Sequence, residues 1–138
     1  TGAEVLINAG DAEALTNPVL NGSLFFGIKK VFKPADRLIA DGESVNAGGL
    51  TFKLIHTPGH SPGSMCIKTG DSLFTGDTLF HASIGRTDLP GGSHPGIIRS
   101  ITEKLMALDD GVVVYPGHGD ATTIGIERKY NPFVKARG

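Results

Sequence analysis

The sequence predicts an α/β sandwich of the α+β class, in which short strands outnumber helices. The chain has 138 residues, of which 39% are hydrophobic and 20% charged, and this suits one folded domain. Short apolar runs are separated by turns rich in Gly and Pro, which is typical of strands joined by tight turns. One longer segment, His94–Leu108, repeats apolar residues at helical spacing. Because strands and helices do not alternate regularly, we do not expect a strict βαβ sheet.

The first half of the chain is predicted to be mostly strand. Glu4–Asn8 is a short apolar run between two glycines, and Asp11–Leu15 is predicted to form about one helical turn. Asn17–Gly27 contains the turn signals Asn-Pro and Asn-Gly, so it is predicted to be rich in turns. Three strands separated by Asp-Gly and Gly-Gly turns follow: Arg37–Ala40, Glu43–Val45 and Leu50–His56.

The second half is predicted to combine a hairpin with two helices. The hairpin pairs Ser64–Thr69 with Ser72–Thr75 across a Gly-Asp turn. The amphipathic helix His94–Leu108 has Ser93 at a favourable N-cap position and a proline in its first turn. A buried strand, Val112–Tyr115, and a last helix, Thr122–Lys129, are predicted to follow it.

Charge and cysteine content restrict the classes of partner and compartment. The net charge of −1 argues against nucleic acid or an anionic membrane surface as a partner. No apolar stretch approaches the ~20 residues that a membrane-spanning helix needs. A single cysteine, Cys66, excludes an internal disulfide and predicts a reducing, cytoplasmic location. The chain does not start with Met, so we expect it to be processed or cut from a longer gene product.

Three segments of the sequence share one arrangement that favours metal binding. In each, an apolar strand ends in a turn, a glycine follows, and the next residue is His60, Asp77 or His118. Glycine allows a positive φ and a close backbone approach, so the side chain that follows can be aimed sharply. Two imidazoles and a carboxylate are the ligands that zinc-type and iron-type ions prefer. The three residues are therefore predicted to converge on one cleft.

These segments resemble the metallo-β-lactamase superfamily, and specifically its small glyoxalase II-like branch of the hydroxyacylglutathione hydrolase type. The resemblance extends over essentially the whole chain and is specific because it combines several motifs. The matching segments are His56–Ser64, Phe74–Phe80, Ile84–Gly92, Tyr115–Gly119, Thr122–Gly125 and Asn131–Phe133.

The resemblance implies a two-metal hydrolase. His60 matches a ligand of the first metal, His118 a ligand of the second, and Asp77 the catalytic carboxylate that bridges both. It implies two zinc ions per intact site, with iron or manganese as alternatives. The implied reaction is hydrolysis of a small-molecule thioester such as S-2-hydroxyacylglutathione, with a metal-bridging hydroxide as the nucleophile. Arg86 lies in a loop that borders the family's active site, and it is the candidate for substrate binding.

The sequence departs from the family pattern in one large respect. The family's H-x-H-x-D-H segment is absent, and no H-x-H occurs anywhere in the 138 residues. Each metal would therefore receive one histidine plus the shared Asp77. We accordingly expect residues 1–138 to be a single, N-terminally truncated domain that corresponds to the C-terminal portion of the αββα sandwich. Such a fragment is expected to be inactive alone, to bind metal weakly, and to self-associate or pair with the missing N-terminal part.

The remaining candidate residues have simpler interpretations. His56 is expected to be a structural, hydrogen-bonded histidine, His81 to lie at the surface, and His94 to start a helix. Arg86 and Asp88 could form a salt bridge within their loop, and Cys66 is expected to be a buried, inert thiol.

Two other functions remain open at this level. One is a mononuclear-iron persulfide dioxygenase, an oxidoreductase similar to this family that shares a Gly-Arg-Thr-Asp stretch with this sequence. The other is a non-catalytic half-domain.

Overall fold

The computed structural model describes residues 1–135, which form a mixed α/β fold. The strands are β1 (Leu6–Asn8), β2 (Arg37–Ile39), β3 (Ser44–Ala47), β4 (Leu50–His56), β5 (Met65–Thr69), β6 (Ser72–Gly76), β7 (Leu79–Phe80), β8 (Ser83–Ile84), β9 (Val113–Pro116) and β10 (Thr122–Thr123). The helices are α1 (Ala9–Thr16), α2 (His94–Ser100), α3 (Ile124–Tyr130) and α4 (Pro132–Lys135). Within residues 1–135, no helix has the length and apolar character that crossing a membrane requires.

The main sheet fixes the direction in which its strands end. Its strand order is β10-β9-β6-β5-β4-β3, and every neighbouring pair is antiparallel except β6 and β9. Since β5 is antiparallel to both β4 and β6, and β9 is parallel to β6, the strands β4, β6 and β9 all run the same way. Their carboxyl ends therefore meet at one edge of the sheet, while β1 with β2 and β7 with β8 form two separate small sheets.

The hydrophobic core lies on one face of the main sheet, under α2. Strand β6 shows the alternation that builds it, because Leu73 and Thr75 are fully buried while Phe74 between them is exposed. The core side chains are Ile55, Cys66, Leu73, Leu79, Ile97, Ile98, Ile101, Leu105, Val112, Val114, Ile124 and Val134.

The opposite face of the same sheet carries an exposed apolar row. Ile67, Phe74 and Tyr115 are neighbours in the strand register, and the last two rings stack with their centroids 5.5 Å apart. All three side chains remain at least one-third exposed. An exposed apolar row of this kind could take part in association between chains, and self-association through it stays a prediction that sedimentation would test.

The long amphipathic helix predicted over His94–Leu108 was wrong in its second half. Its start is confirmed, since the Ser93 side chain accepts a hydrogen bond from a first-turn amide. The α-helix ends at Ser100, however, and Ile101–Leu105 form a π-helical stretch that ends with the Met106 amide bonded to the Ile101 carbonyl. The apolar spacing keeps one face buried in either helix type, so the sequence pattern could not distinguish them.

Smaller differences concern where elements begin. The helix predicted from Thr122 begins at Ile124, because the two preceding threonines pair with β9 as a short strand. Glu4–Asn8 is a strand only from Leu6, and the predicted helical turn after it is the eight-residue helix α1, capped by the Asn8 side chain. Strand β4 agrees with the prediction at both ends.

A buried carboxylate holds the C-terminal helices against the β7–β8 hairpin. Glu127 is only 1% exposed. It accepts hydrogen bonds from the Thr122 hydroxyl (2.7 Å), the Asn131 amide (2.8 Å) and the backbone N–H of Ala82 (2.9 Å). Ala82 lies at the tip of the hairpin and has φ of 56°, a backbone conformation that few residues other than glycine adopt readily. The hydrogen bond from its N–H to Glu127 stabilises this conformation.

We expect Glu127→Gln to lower the free energy of unfolding by about 2 kcal/mol. A glutamine has one side-chain oxygen instead of two, so its NH₂ group would face the Thr122 hydroxyl, which can accept that bond but would lose the acceptor for its own buried proton, and the other bonds would lose the carboxylate charge. Urea unfolding followed by circular dichroism measures the change, and Glu103→Gln on the exposed side of the π-helical stretch is the matched control. Equal unfolding midpoints for the two variants would contradict this account of Glu127.

Candidate metal centre

Three side chains meet at the edge of the sheet where β4, β6 and β9 end. Asp77 follows β6 directly, His118 lies two residues after β9, and His60 lies four residues after β4. The His60 Nε2 atom is 3.4 Å from Asp77 Oδ2, and the His118 Nε2 atom is 3.2 Å from Asp77 Oδ1. Each imidazole thus faces a different oxygen of one carboxylate. The structure therefore places together the three residues that the strand–glycine pattern singled out.

The other ring nitrogen of His60, Nδ1, already forms a hydrogen bond. Its Nδ1 atom lies 2.9 Å from the backbone carbonyl of Arg86, which can only accept, so Nδ1–H must be the donor. A neutral ring in this tautomer keeps a lone pair on Nε2, on the side of Asp77. This is the arrangement found around metal-bound histidines, where the outer nitrogen donates to a carbonyl or carboxylate.

Glycine at position 59 allows the His60 loop to lie against α2. Gly59 has φ of +150°, and a Cβ built there would overlap the backbone and side chain of Ile97. Its carbonyl also accepts the amide of Ser93 at 2.8 Å, just before α2 begins. The loop therefore packs on the helix backbone itself, which fixes where His60 points.

Two further side chains form hydrogen bonds to the same loop. The His56 Nε2–H donates to the carbonyl of Pro62 (2.8 Å), which agrees with the structural role expected for this histidine. From α1, the Asp11 carboxylate accepts the Ser61 hydroxyl (2.6 Å) and the Gly63 amide (2.9 Å). Sequence reasoning missed Asp11, since nothing in the sequence links residues 50 positions apart.

The loop that carries Asp77 packs closely against the loop that carries His118. A Cβ at Gly117 would lie 2.9 Å from Asp77 Oδ1, and the Gly117 amide donates to the Gly76 carbonyl at 2.7 Å. The glycine before His118 thus lets the two loops touch. The ring of His118 also meets Phe80 edge-on, with centroids 5.9 Å apart. His118 is the most exposed of the three, with 77% of its side chain accessible, against 23% for His60 and 35% for Asp77.

The cluster consists of two imidazoles and one carboxylate. Among residues 1–135, no group of three or more His, Cys, Asp and Glu side chains is arranged to hold one ion. His81 and His94 are exposed and outside the cluster.

The single cysteine is unsuited to chemistry. Cys66 is fully buried in the core, and burial raises the pKa of its thiol to about 11. Its sulfur lies 3.4 Å from the Thr57 hydroxyl. At neutral pH the thiol stays protonated and out of reach of solvent, which confirms its expected burial.

Arg86 makes a salt bridge inside its own loop. Its Nε and Nη2 atoms donate to the two oxygens of Asp88, each at 2.7 Å, and both side chains are mostly exposed. The hydrogen bonds from Arg86 lower the pKa of Asp88 to about 2. The carbonyl of Arg86 orients His60, and Arg86 is one of the residues that line the cavity containing Asp77 and His118.

We expect Arg86→Gln to raise the pKa of Asp88 from about 2 toward the ordinary aspartate value. Because the folded-state pKa is depressed, the stabilisation from this pair is present above the unfolded-state pKa and is lost as the pH falls toward 2. A carboxyl-carbon NMR titration measures the shift, with Arg99→Gln, at an exposed position of α2, as the control. An unchanged Asp88 titration in Arg86→Gln would contradict the assigned cause.

Comparison with known proteins places these features in a family. The sequence profile of the metallo-β-lactamase superfamily matches residues 1–118. An uncharacterized protein of Mycobacterium tuberculosis is 41% identical over 97% of this chain and 66% of its own length. "Probable metallo-hydrolase YqgX" of Bacillus subtilis is 40% identical (94% and 63%), and hydroxyacylglutathione hydrolase GloC of Haemophilus influenzae is 39% identical (81% and 55%).

Solved structures show the same similarity. The BLEG-1 B3 metallo-β-lactamase has a TM-score of 0.88 at 43% identity, covering 95% of this chain and 65% of that one. ETHE1 from Myxococcus xanthus has a TM-score of 0.72 at 37% identity, covering 74% and 47%. TTHA1623 in a di-iron-bound form has a TM-score of 0.79 at 34% identity, covering 94% and 64%.

The chain thus spans about two-thirds, or less, of the length of the proteins that it matches. The range matched by the family profile, residues 1–118, nevertheless extends over the positions of His60, Asp77 and His118. With a profile match over most of its length and relatives at about 40% identity, the chain belongs to the metallo-β-lactamase superfamily.

Proposed function

We propose that this chain provides one side of the active site of a metal-dependent hydrolase that cleaves thioesters of the S-2-hydroxyacylglutathione type. The observation that carries the proposal is the pair of imidazole nitrogens facing the two oxygens of Asp77 at 3.2 and 3.4 Å. The similarity to a hydroxyacylglutathione hydrolase supports the substrate class.

The donor chemistry fits a divalent cation. With Nδ1–H of His60 bonded to a carbonyl, the Nε2 lone pair faces a carboxylate oxygen, and two electron-rich atoms at this distance need a proton or a cation between them. Imidazole and carboxylate are common zinc ligands, and they also suit iron or manganese. In this proposal His60 holds a first metal ion, His118 a second, and Asp77 both.

In the proposed site some protein groups would hold the metal ions, and others orient the residues that hold them. When bound, the ions would lower the pKa of a water molecule and polarise the thioester carbonyl. The carbonyl of Arg86 keeps His60 in the tautomer with a free Nε2, and Asp11 with His56 keeps its loop in place. Asp77 is the catalytic carboxylate of the proposal, because its two oxygens each face one imidazole and it would hold both ions.

Ligand number points to a contribution from outside this cluster. Two protein ligands for each ion are fewer than the three that catalytic zinc sites usually have. We propose that the remaining ligands come from a further segment of the gene product or from a partner chain. We also propose a cytoplasmic location, which the single unpaired cysteine supports.

The test is an assay of the complete product of the gene that contains this sequence, loaded with zinc. S-Lactoylglutathione should be hydrolysed, and the 138-residue chain alone should be far slower. Acetate esters and a chromogenic β-lactam are the comparison substrates. Absence of thioester hydrolysis by the zinc-, iron- and manganese-loaded protein would refute the proposal.

The persulfide dioxygenase is the second candidate, and the similarity to ETHE1 fits it. It makes a different prediction for the same sample. Iron should then be the activating metal, and glutathione persulfide should be consumed together with oxygen. Oxygen-electrode measurements on the iron-loaded protein separate the two reactions.

A further inference from the structure

A second cavity adjoins the candidate metal centre. It has a volume of about 470 Å³ and shares the wall residues His60 and Arg86 with the smaller cavity that contains Asp77 and His118. Its volume lies within the range of small-molecule binding sites. A substrate whose reacting carbonyl sits at Asp77 could therefore extend past His60 into this second space.

The outer wall of this cavity is made of unusually exposed aromatic side chains. Phe25 and Phe26 are 76% and 82% exposed, more than any other large apolar side chain described within residues 1–135. Val19 and Leu89 extend the same apolar lining. Single exposed apolar residues are common, but an apolar group of this kind around a cavity is typical of a ligand-binding groove.

The segment that carries the two rings is held in place by its backbone. Ser23–Phe26 form one 3₁₀ turn between Gly22 (φ 77°) and Gly27 (φ 70°), and both glycines adopt the left-handed conformation. The Asn21 side chain accepts the Ser23 amide (3.0 Å) and donates to the Lys30 carbonyl (3.0 Å). These bonds fix the turn without using the rings, so the rings remain free to contact a ligand.

The charge of the cavity indicates which ligand group it suits. Its one permanently charged wall residue, Arg86, is already paired through two hydrogen bonds with Asp88. A bound anion would have to compete with that carboxylate, whereas an uncharged apolar group would not. The lining therefore favours a hydrocarbon chain over a second charged group.

We propose that this cavity binds the acyl chain of the substrate, so that the protein prefers thioesters with a long apolar acyl chain over those with a short one. The inference rests on the proposed function, because it takes the thioester carbonyl to lie at Asp77. Phe25 and Phe26 are then specificity-determining residues. They do not hold metal and do not contact the reacting atoms.

The first measurement uses binding alone. Calorimetry on the complete gene product compares S-hexylglutathione with S-methylglutathione, two thioethers that cannot be hydrolysed. Each buried methylene should strengthen binding about fourfold, so burial of only two of the additional methylenes of the hexyl compound should make it bind at least about tenfold more tightly. The variant Phe25→Ser/Phe26→Ser should reduce this ratio to about threefold or less. Phe25→Leu/Phe26→Leu should retain it, and so should the control Phe133→Ser on α4, whose ring lines neither cavity.

The second measurement uses hydrolysis and keeps the two proposals distinguishable. Hexanoyl and acetyl thioesters of one thiol are compared by kcat/KM in the same variants, and their ratio should change as the binding ratio does. Hydrolysis without any dependence on chain length would overturn the cavity assignment and leave the proposed reaction standing. If the thioethers bind with a dependence on chain length but no thioester is hydrolysed, the proposed reaction is overturned and the assignment of the cavity to an apolar chain stands.

One further outcome would also overturn the assignment. If sedimentation shows a dimer that the Ser/Ser variant abolishes while the hexyl-to-methyl ratio stays unchanged, the two rings cover a second copy of the chain and bind no acyl group. Unfolding midpoints of all variants are measured alongside, and the Leu/Leu variant guards against a loss of fold.

Discussion

The Asp77→Asn variant is expected to bind zinc at least about 100-fold more weakly than the unchanged chain. Asp77 is the one side chain in the cluster that contacts both imidazoles, so its loss removes a ligand from each proposed ion. Removing even an outer partner of a metal ligand typically weakens affinity by 10–100-fold, and a direct ligand should exceed that range. Calorimetric titration of the complete gene product with zinc measures the change, since the 138-residue chain alone is expected to bind metal weakly.

Asp71→Asn is the matched control for this experiment. Asp71 precedes β6 whereas Asp77 follows it, so the control changes the same charge at the far end of one strand. It should leave zinc affinity unchanged within about twofold. If Asp77→Asn and Asp71→Asn bind zinc equally well, the carboxylate has no part in the site.

The Gly59→Ala variant is expected to lose at least about 3 kcal/mol of unfolding free energy. The added methyl group would overlap Ile97 at the start of α2, and φ of +150° is unfavourable for any residue with a Cβ. Either the loop or the helix must move, and both belong to the part of the fold that positions His60. Urea denaturation measures the loss, and the change in zinc affinity should follow it.

Gly111→Ala serves as the control, because a Cβ there meets nothing within 4 Å. This variant should unfold within about 0.5 kcal/mol of the unchanged chain. A Gly59→Ala protein as stable as the Gly111→Ala protein would show that α2 does not rest on the loop backbone.

The convergence of His60, Asp77 and His118 could be predicted because each has a local signature. An apolar strand, a glycine and a ligand-type side chain occur within a few residues, and one sheet orients all three strands. The strand β4 was predicted at both ends for the same reason, since its apolar run is bounded by clear turns.

Features that depend on distant parts of the chain could not be predicted. Asp11 acts on a loop 50 residues away, and its neighbours in sequence give no sign of this. The strands β7 and β8 have two residues each, too few to show alternation, yet they place Phe80 against His118. The 3₁₀ turn Ser23–Phe26 lies within a segment predicted to be rich in turns, but its position beside His60 depends on the tertiary fold.

The most direct test of the account is a crystal structure of the zinc-loaded complete gene product, with anomalous data collected on both sides of the zinc absorption edge. We expect zinc peaks within bonding distance, about 2.0–2.2 Å, of His60 Nε2, His118 Nε2 and the Asp77 carboxylate. The Nδ1 atom of His60 should still donate to the carbonyl of Arg86. Zinc bound elsewhere, with these three side chains free of metal, would contradict the central claim that they form one side of a metal centre.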